Sequence, residues 1–244
     1  ATGDAPPRVN YNQVLGVKEN LLFISATPAD LPDDVLGYQS VDAIVLFNVD
    51  PASLKTDGKM APLRKWVREG GNLLICQNPL WQKMLGWGDL LPVSFPPFDT
   101  GIQPMQGSAV RKDAGPIAQW SENQSAARDW KNLTGSFRVA VAQAAPNTRT
   151  VDQIQWAGPN KSVVQTPYLV RKLYGRGTVA WIAIDLGDPA IARMNTGWPG
   201  IWDHIFGWEN NPYTLFAPTN RTEQNTIQII ENTYGIAHGI DFGS

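Results

Sequence analysis

Two stretches, Asp42-Ala-Ile-Val-Leu-Phe47 and Asn72-Leu-Leu-Ile-Cys76, decide the fold class of this 244-residue chain. Each is a short apolar run without alternation, the pattern of a strand buried on both faces of a parallel sheet. Between them, Asp50-Pro51 opens a segment whose Met60, Leu63, Trp66 and Val67 recur at helical spacing. Gly70-Gly71 follows where such a helix needs a left-handed cap. Strand, helix, strand is the grammar of a βαβ unit, so a parallel sheet covered on both faces is expected. Leu21-Leu-Phe-Ile-Ser25 is expected to join it as a third neighbouring parallel strand.

Working outward, Leu31-Pro-Asp-Asp-Val35 reads as a helical turn, and residues 1–20, with Pro6-Pro7, read as an arm in which 8–15 supply at best a ragged edge strand. Residues 92–135 carry five prolines among many polar residues, with a short helix expected over Ser125 to Trp130. β character returns in Phe137-Arg-Val-Ala-Val141 and Val151-Asp-Gln-Ile-Gln-Trp156, so 92–165 is read as an insertion or irregular β-rich flank. Val163 to Leu173 leads through Tyr174-Gly-Arg-Gly177 into Thr178 to Asp185, the clearest hairpin in the chain. Helices are expected near 199–207, from Trp202, Ile205 and Phe206, and over 224–235, from Ile227, Ile230 and Tyr234. The whole of 1–244 is read as a single domain.

Lys+Arg of 20 against Asp+Glu of 22 gives a net charge of −2 and a pI near 5.7. That balance lacks the basic footprint that counterion-driven nucleic-acid binding or an anionic membrane would require. The longest apolar run, Val179 to Ile184, is far short of the roughly 20 residues that cross a bilayer. One cysteine, Cys76, excludes a disulfide within the chain and a multi-thiolate zinc site, and with only His204 and His238 no metal or cofactor is expected. Asp185 and Asp188 beside Gly187 are better explained as a solvated turn than as a cation site. The chain opens on Ala1 with no signal-like stretch and is expected to derive from a longer product.

From Asp42 to Cys76 the order of strand, helix, Gly-Gly and a strand ending at cysteine resembles the class I glutamine amidotransferase-like superfamily. Leu31 to Tyr38, Ala61 to Leu73 and Leu169 to Asp185 resemble a non-catalytic branch of it, embedded in larger bacterial envelope proteins. The resemblance implies a flavodoxin-like three-layer α/β sandwich with a largely parallel central sheet. It also implies a setting in the cell envelope or periplasm, membrane segments elsewhere in the parent protein, and an unidentified protein or small-molecule partner. Ligand contacts would fall at the strand ends, on Asn48, Asp50, Gln77, Asn78 and Trp81.

The catalytic pattern of that family is absent at three points. Its nucleophile stands in Gly-x-Cys-x-Gly, whereas this chain has Leu74-Ile-Cys-Gln-Asn78. Its oxyanion Gly-Gly is replaced by Phe47-Asn48-Val49-Asp50, and its His-x-Glu pair has no counterpart at His204 or His238. A degenerate binding or assembly module is therefore the preferred reading. One alternative is a cysteine-dependent hydrolase or amidase with Cys76 as nucleophile and His204 brought in as base. Against it, a lone cysteine ordinarily behaves as a small buried hydrophobe, and a helix histidine between Trp202 and Phe206 as a packed core residue. The other alternative is a carbohydrate-binding module on Trp81, Trp87, Trp120 and Trp198, the tryptophans outside regular apolar patterns.

Overall fold

In a computed structural model, residues 26–77, 81–95, 108–121, 124–157, 163–194 and 196–208 are described. The expected strand over 21–25, the arm before it and the helix over 224–235 lie outside these residues. In chain order the elements are β1 (Ala43–Leu46), α1 (Pro51–Thr56), α2 (Met60–Glu69), β2 (Asn72–Cys76), α3 (Trp81–Met84), β3 (Val93–Ser94) and β4 (Ser108–Arg111). There follow α4 (Gln124–Asn132), β5 (Phe137–Ala140), β6 (Gln143–Ala144), β7 (Arg149–Ala157), β8 (Val163–Tyr174), β9 (Gly177–Ile182), α5 (Pro189–Ala192) and α6 (Trp198–Phe206).

The central sheet is α/β in character and runs β1-β2-β9-β8-β7. β1 and β2 pair in parallel, Ala43 opposite Asn72 through Leu46 opposite Ile75, as their apolar runs predict. β2 then pairs in parallel with β9, from Asn72 opposite Thr178 to Cys76 opposite Ile182. From β9 outward both pairings are antiparallel, so the sheet is mixed rather than largely parallel. The cause is local: β8 and β9 are joined by Gly175 and Arg176 alone, Gly175 at φ +69°, and so short a turn can only return the chain antiparallel. The β-rich flank also contributes more than expected, because β7 is an edge strand of the main sheet. Two small ribbons, β3 with β6 and β4 with β5, complete it.

Leu73, Leu74, Ile75 and Cys76 are all at most 2% exposed. Consecutive strand residues face opposite sides, so both faces of β2 are covered. α2 packs on β9, and α6 on β2 and β9. Asp50 caps α1 by accepting from the Ala52 N–H at 3.0 Å, and Gly58, at φ +73°, separates α1 from α2. The expected turn at 31–35 falls instead at Val35–Tyr38, where the Asp34 carboxylate accepts from the Leu36 N–H. Tyr38 then stacks on Trp66 at 5.7 Å and ties this turn to α2. In α6, Trp198, Trp202 and Phe206 stack at 5.2 and 6.2 Å, and Trp130 of α4 meets Trp198 edge-on at 5.4 Å.

The start of β9 leaves no room for a side chain. A Cβ on Gly177 would stand 2.1 Å from the Val67 carbonyl oxygen and 2.3 Å from that of Gly71. Gly177→Ala should therefore cost about 3 kcal/mol in urea denaturation, the upper end of ordinary overpacking. Gly58→Ala, which meets nothing within 4 Å, should cost about 1 kcal/mol from its left-handed backbone alone. Equal losses in the two variants would contradict this account of the β2–β9 seam.

Candidate functional site

The ends of β1, β2 and β9 lie side by side, and in open α/β sheets that edge is where ligands are held. β1 runs into Phe47 and Asn48, the latter exposed and at φ +50°, a left-handed position that asparagine tolerates. Asp50 is occupied structurally: besides capping α1, its Oδ2 lies 3.0 Å from the Lys83 Nζ of α3. The Ala52 N–H and then Lys83 hold its carboxyl below the usual carboxylate range.

β2 ends at Cys76 and Gln77 follows it, both buried. Burial pushes the Cys76 thiol well up, the Asp185 carboxylate pushes it further, and the Leu186 backbone N–H draws it partly back. Gln77 donates its backbone N–H to the Ile182 carbonyl at 3.1 Å and accepts through Oε1 from the Trp181 indole at 3.3 Å. Trp81 is buried and packs on Phe95 at 5.5 Å, while Asn78 lies outside the described residues.

After β9 the chain turns over this edge. Asp185 Oδ1 accepts from the Gly187 N–H at 2.8 Å, and Asp188 caps α5 by accepting from the Ala190 N–H at 2.8 Å. A Cβ on Gly187 would lie 3.7 Å from Phe47 Cβ, so this turn and the end of β1 are in near contact. The turn is the expected one, but Asp185 is half-buried rather than fully solvated, and partial burial raises its carboxyl, with the Gly187 N–H opposing the rise and Asp188 adding to it. Among the described residues, no three His, Cys, Asp or Glu side chains are grouped as a metal would require.

His204 is turned to different partners. Its Nε2 lies 2.7 Å from Asp152 Oδ2, and its ring stacks on Trp120 at 4.6 Å. The Arg171 guanidinium donates to its backbone carbonyl. The register of β7 against β8 shifts on both sides of Asp152, a bulge of the kind that re-aims a side chain. β7 stands three places from β2 in the sheet, about 14 Å at ordinary strand spacing. The imidazole, carried by α6, is thus oriented by a carboxylate, as in a triad, but the carboxylate that holds it belongs to β7, a strand remote from the one that carries the thiol. His204 is a histidine packed on an aromatic, as expected, but its partners are Trp120 and Asp152. Trp81, Trp87, Trp120 and Trp198 are all buried, so none offers an open face for a sugar.

No family model and no curated protein matches the sequence. Among solved structures, a cytoplasmic protein of Salmonella typhimurium is similar at 13% identity and a TM-score of 0.47, over 74% of this chain and 76% of that one. A second cytoplasmic protein, from Salmonella typhimurium LT2, is similar at 17% identity and a TM-score of 0.44, over 72% and 77%. An exo-β-1,4-mannosidase of Opitutaceae bacterium strain TAV5 is similar at 15% identity and a TM-score of 0.32, over 71% of this chain but 25% of that one.

Because burial raises the Asp185 carboxyl above its ordinary 3.8, the folded state holds this proton more tightly than the unfolded chain does. Its contribution to stability is present below the unfolded pKa and declines as pH rises through the folded one. Asp185→Asn keeps an oxygen for the Gly187 N–H and removes the charge. The variant should be more stable than wild type at pH 7, with the gap narrowing toward pH 4 in paired urea titrations. A gap that widens with acid would reverse the assignment.

Proposed function

We propose that this chain is a non-catalytic amidotransferase-like module, a flavodoxin-like three-layer sandwich that serves binding or assembly within a larger bacterial envelope protein. The observation that supports it most is the condition of Cys76. A thiol becomes a useful nucleophile through a lowered pKa or an adjacent base. Here the thiol is buried, Asp185 disfavours the thiolate, and the His204 ring is held by Asp152 and Trp120. The parallel order β1-β2-β9, with cysteine closing β2, agrees with the strand-to-cysteine arrangement of the resembled family. The envelope setting rests on the resemblance of Leu31 to Tyr38, Ala61 to Leu73 and Leu169 to Asp185.

A glutaminase would need an activated thiolate, an oriented base and a pair of oxyanion donors, and losing one such donor alone costs about 10²–10³ in rate. Iodoacetamide should label Cys76 at pH 7.5 at least about tenfold more slowly than free cysteine, with fast labelling restored in urea. Ammonia release from glutamine should equal that of Cys76→Ser. Rapid labelling of the folded protein, or turnover lost in the serine variant, would establish the hydrolase instead.

A further inference from the structure

At the opposite end of the sheet from Cys76, the β8–β9 turn meets α2 and the single turns of 3₁₀ helix over Leu85–Leu90. Arg64 and Arg68 stand four residues apart on α2, on one face, where like charges repel. Both converge on one oxygen: the Tyr174 hydroxyl accepts from Arg64 Nη1 at 3.4 Å and from Arg68 Nη2 at 3.2 Å. That hydroxyl donates its own proton to Asp89 Oδ2 at 3.0 Å. Asp89 Oδ1 takes the Arg64 guanidinium, and the Asp89 backbone carbonyl takes the Lys172 ammonium. The Arg68 guanidinium carbon and Lys172 Nζ also lie 5.1 and 5.6 Å from the Tyr174 ring centroid.

Three cations thus gather round a single carboxylate. Among the described residues, neither Arg68 nor Lys172 forms an ion pair. The surplus is two positive charges, in a chain whose net charge is −2. Burial lowers the Lys172 pKa and Arg64 lowers it further, while Asp89 opposes both. Burial alone would raise the Asp89 carboxyl, yet hydrogen bonds from Arg64 and Tyr174 and the charges of Arg64 and Lys172 bring it below its ordinary value. Tyr174 has its proton and its acceptor directions committed, so it is the floor of the cluster. Arg68 is exposed and spends one N–H on the protein, and Arg64 beside it is half-buried and pre-positioned by Asp89 and by the Trp87 carbonyl at 3.1 Å.

We infer that Arg64, Arg68 and Lys172, seated on Tyr174, bind a phosphate monoester dianion, with the two guanidinium groups bridging its oxygens and Lys172 adding charge. Guanidinium forks match phosphate oxygens in geometry, and two surplus charges match a dianion. Asp89 holds Arg64 in place when the site is empty and competes with the ligand for it. The shared chemistry is the phosphate group, free in solution or carried on a lipid headgroup.

Titrating the protein with inorganic phosphate at low ionic strength, against sodium chloride at matched ionic strength, reads the site directly. Saturable binding by calorimetry is expected. Arg68→Glu, at an exposed position, should weaken it by about tenfold or more without moving the melting temperature, and Asp89→Asn should tighten it. Vesicles of phosphatidic acid with phosphatidylcholine, against pure phosphatidylcholine, distinguish the sources. Retention on the phosphatidic acid vesicles alone, lost in Arg68→Glu, assigns the site to lipid, and phosphate binding without retention assigns it to a soluble ester. The inference is overturned if neither probe binds above its control, or if binding is undiminished in Arg68→Glu. No outcome here bears on Cys76.

Discussion

Everything in this structure hangs on β2 being closed on both faces while it is paired along both edges. A strand flanked by β1 and β9 has no free backbone edge, and apolar side chains on alternate faces give it no solvated side. Each fully buried aliphatic side chain there contributes roughly 1.5–3 kcal/mol. The same enclosure determines the chemistry at its end. Cys76 is the last residue of that strand, so the packing that stabilises the sheet also removes the thiol from water and disfavours its ionisation. Stability and reactivity are opposed at this position, and the surroundings of Cys76 resolve the conflict toward stability.

The close seam at the start of β9 follows from the same constraint. Gly177 lets the chain enter between the end of α2 and Gly71, and that entry aligns Thr178 with Asn72 and hence Ile182 with Cys76. The turn that precedes it carries Tyr174 onto Asp89 and the arginines of α2. One hairpin therefore sets the register beneath Cys76 and assembles a cationic cluster at the far end of the sheet.

Much of this was legible in the residues. The runs Asp42 to Phe47 and Asn72 to Cys76 mark parallel strands because nothing polar interrupts them, and Tyr174 to Gly177 marks the hairpin because glycine permits the turn. The extent of the antiparallel half was less legible: the hairpin already implied β8 beside β9, but β7 alternates like a strand of an independent flank and only tertiary pairing places it beside β8. The partner of His204 was not legible at all: Asp152 lies 52 residues away, in a bulge that no local pattern announces. The loop tryptophans misled for a related reason. Neighbouring glycine, proline and polar residues suggested exposure, but Trp120 is covered by Tyr168 and His204, and Trp198 by Trp130 and Trp202. Arg64 and Arg68 carry no local signal of a site, because the cluster they join depends on Tyr174 and Lys172, more than a hundred residues on.

The central claim is that the end of β2 is a closed part of the core and not a mobile elbow. Native-state amide hydrogen exchange followed through low concentrations of denaturant tests it most directly. The amides of Ile75, Cys76 and Gln77 should exchange only through global unfolding, in the same slow class as Ala180 to Ile182 of β9. Exchange of Cys76 and Gln77 through a low-energy local opening, while β9 stays protected, would contradict the account.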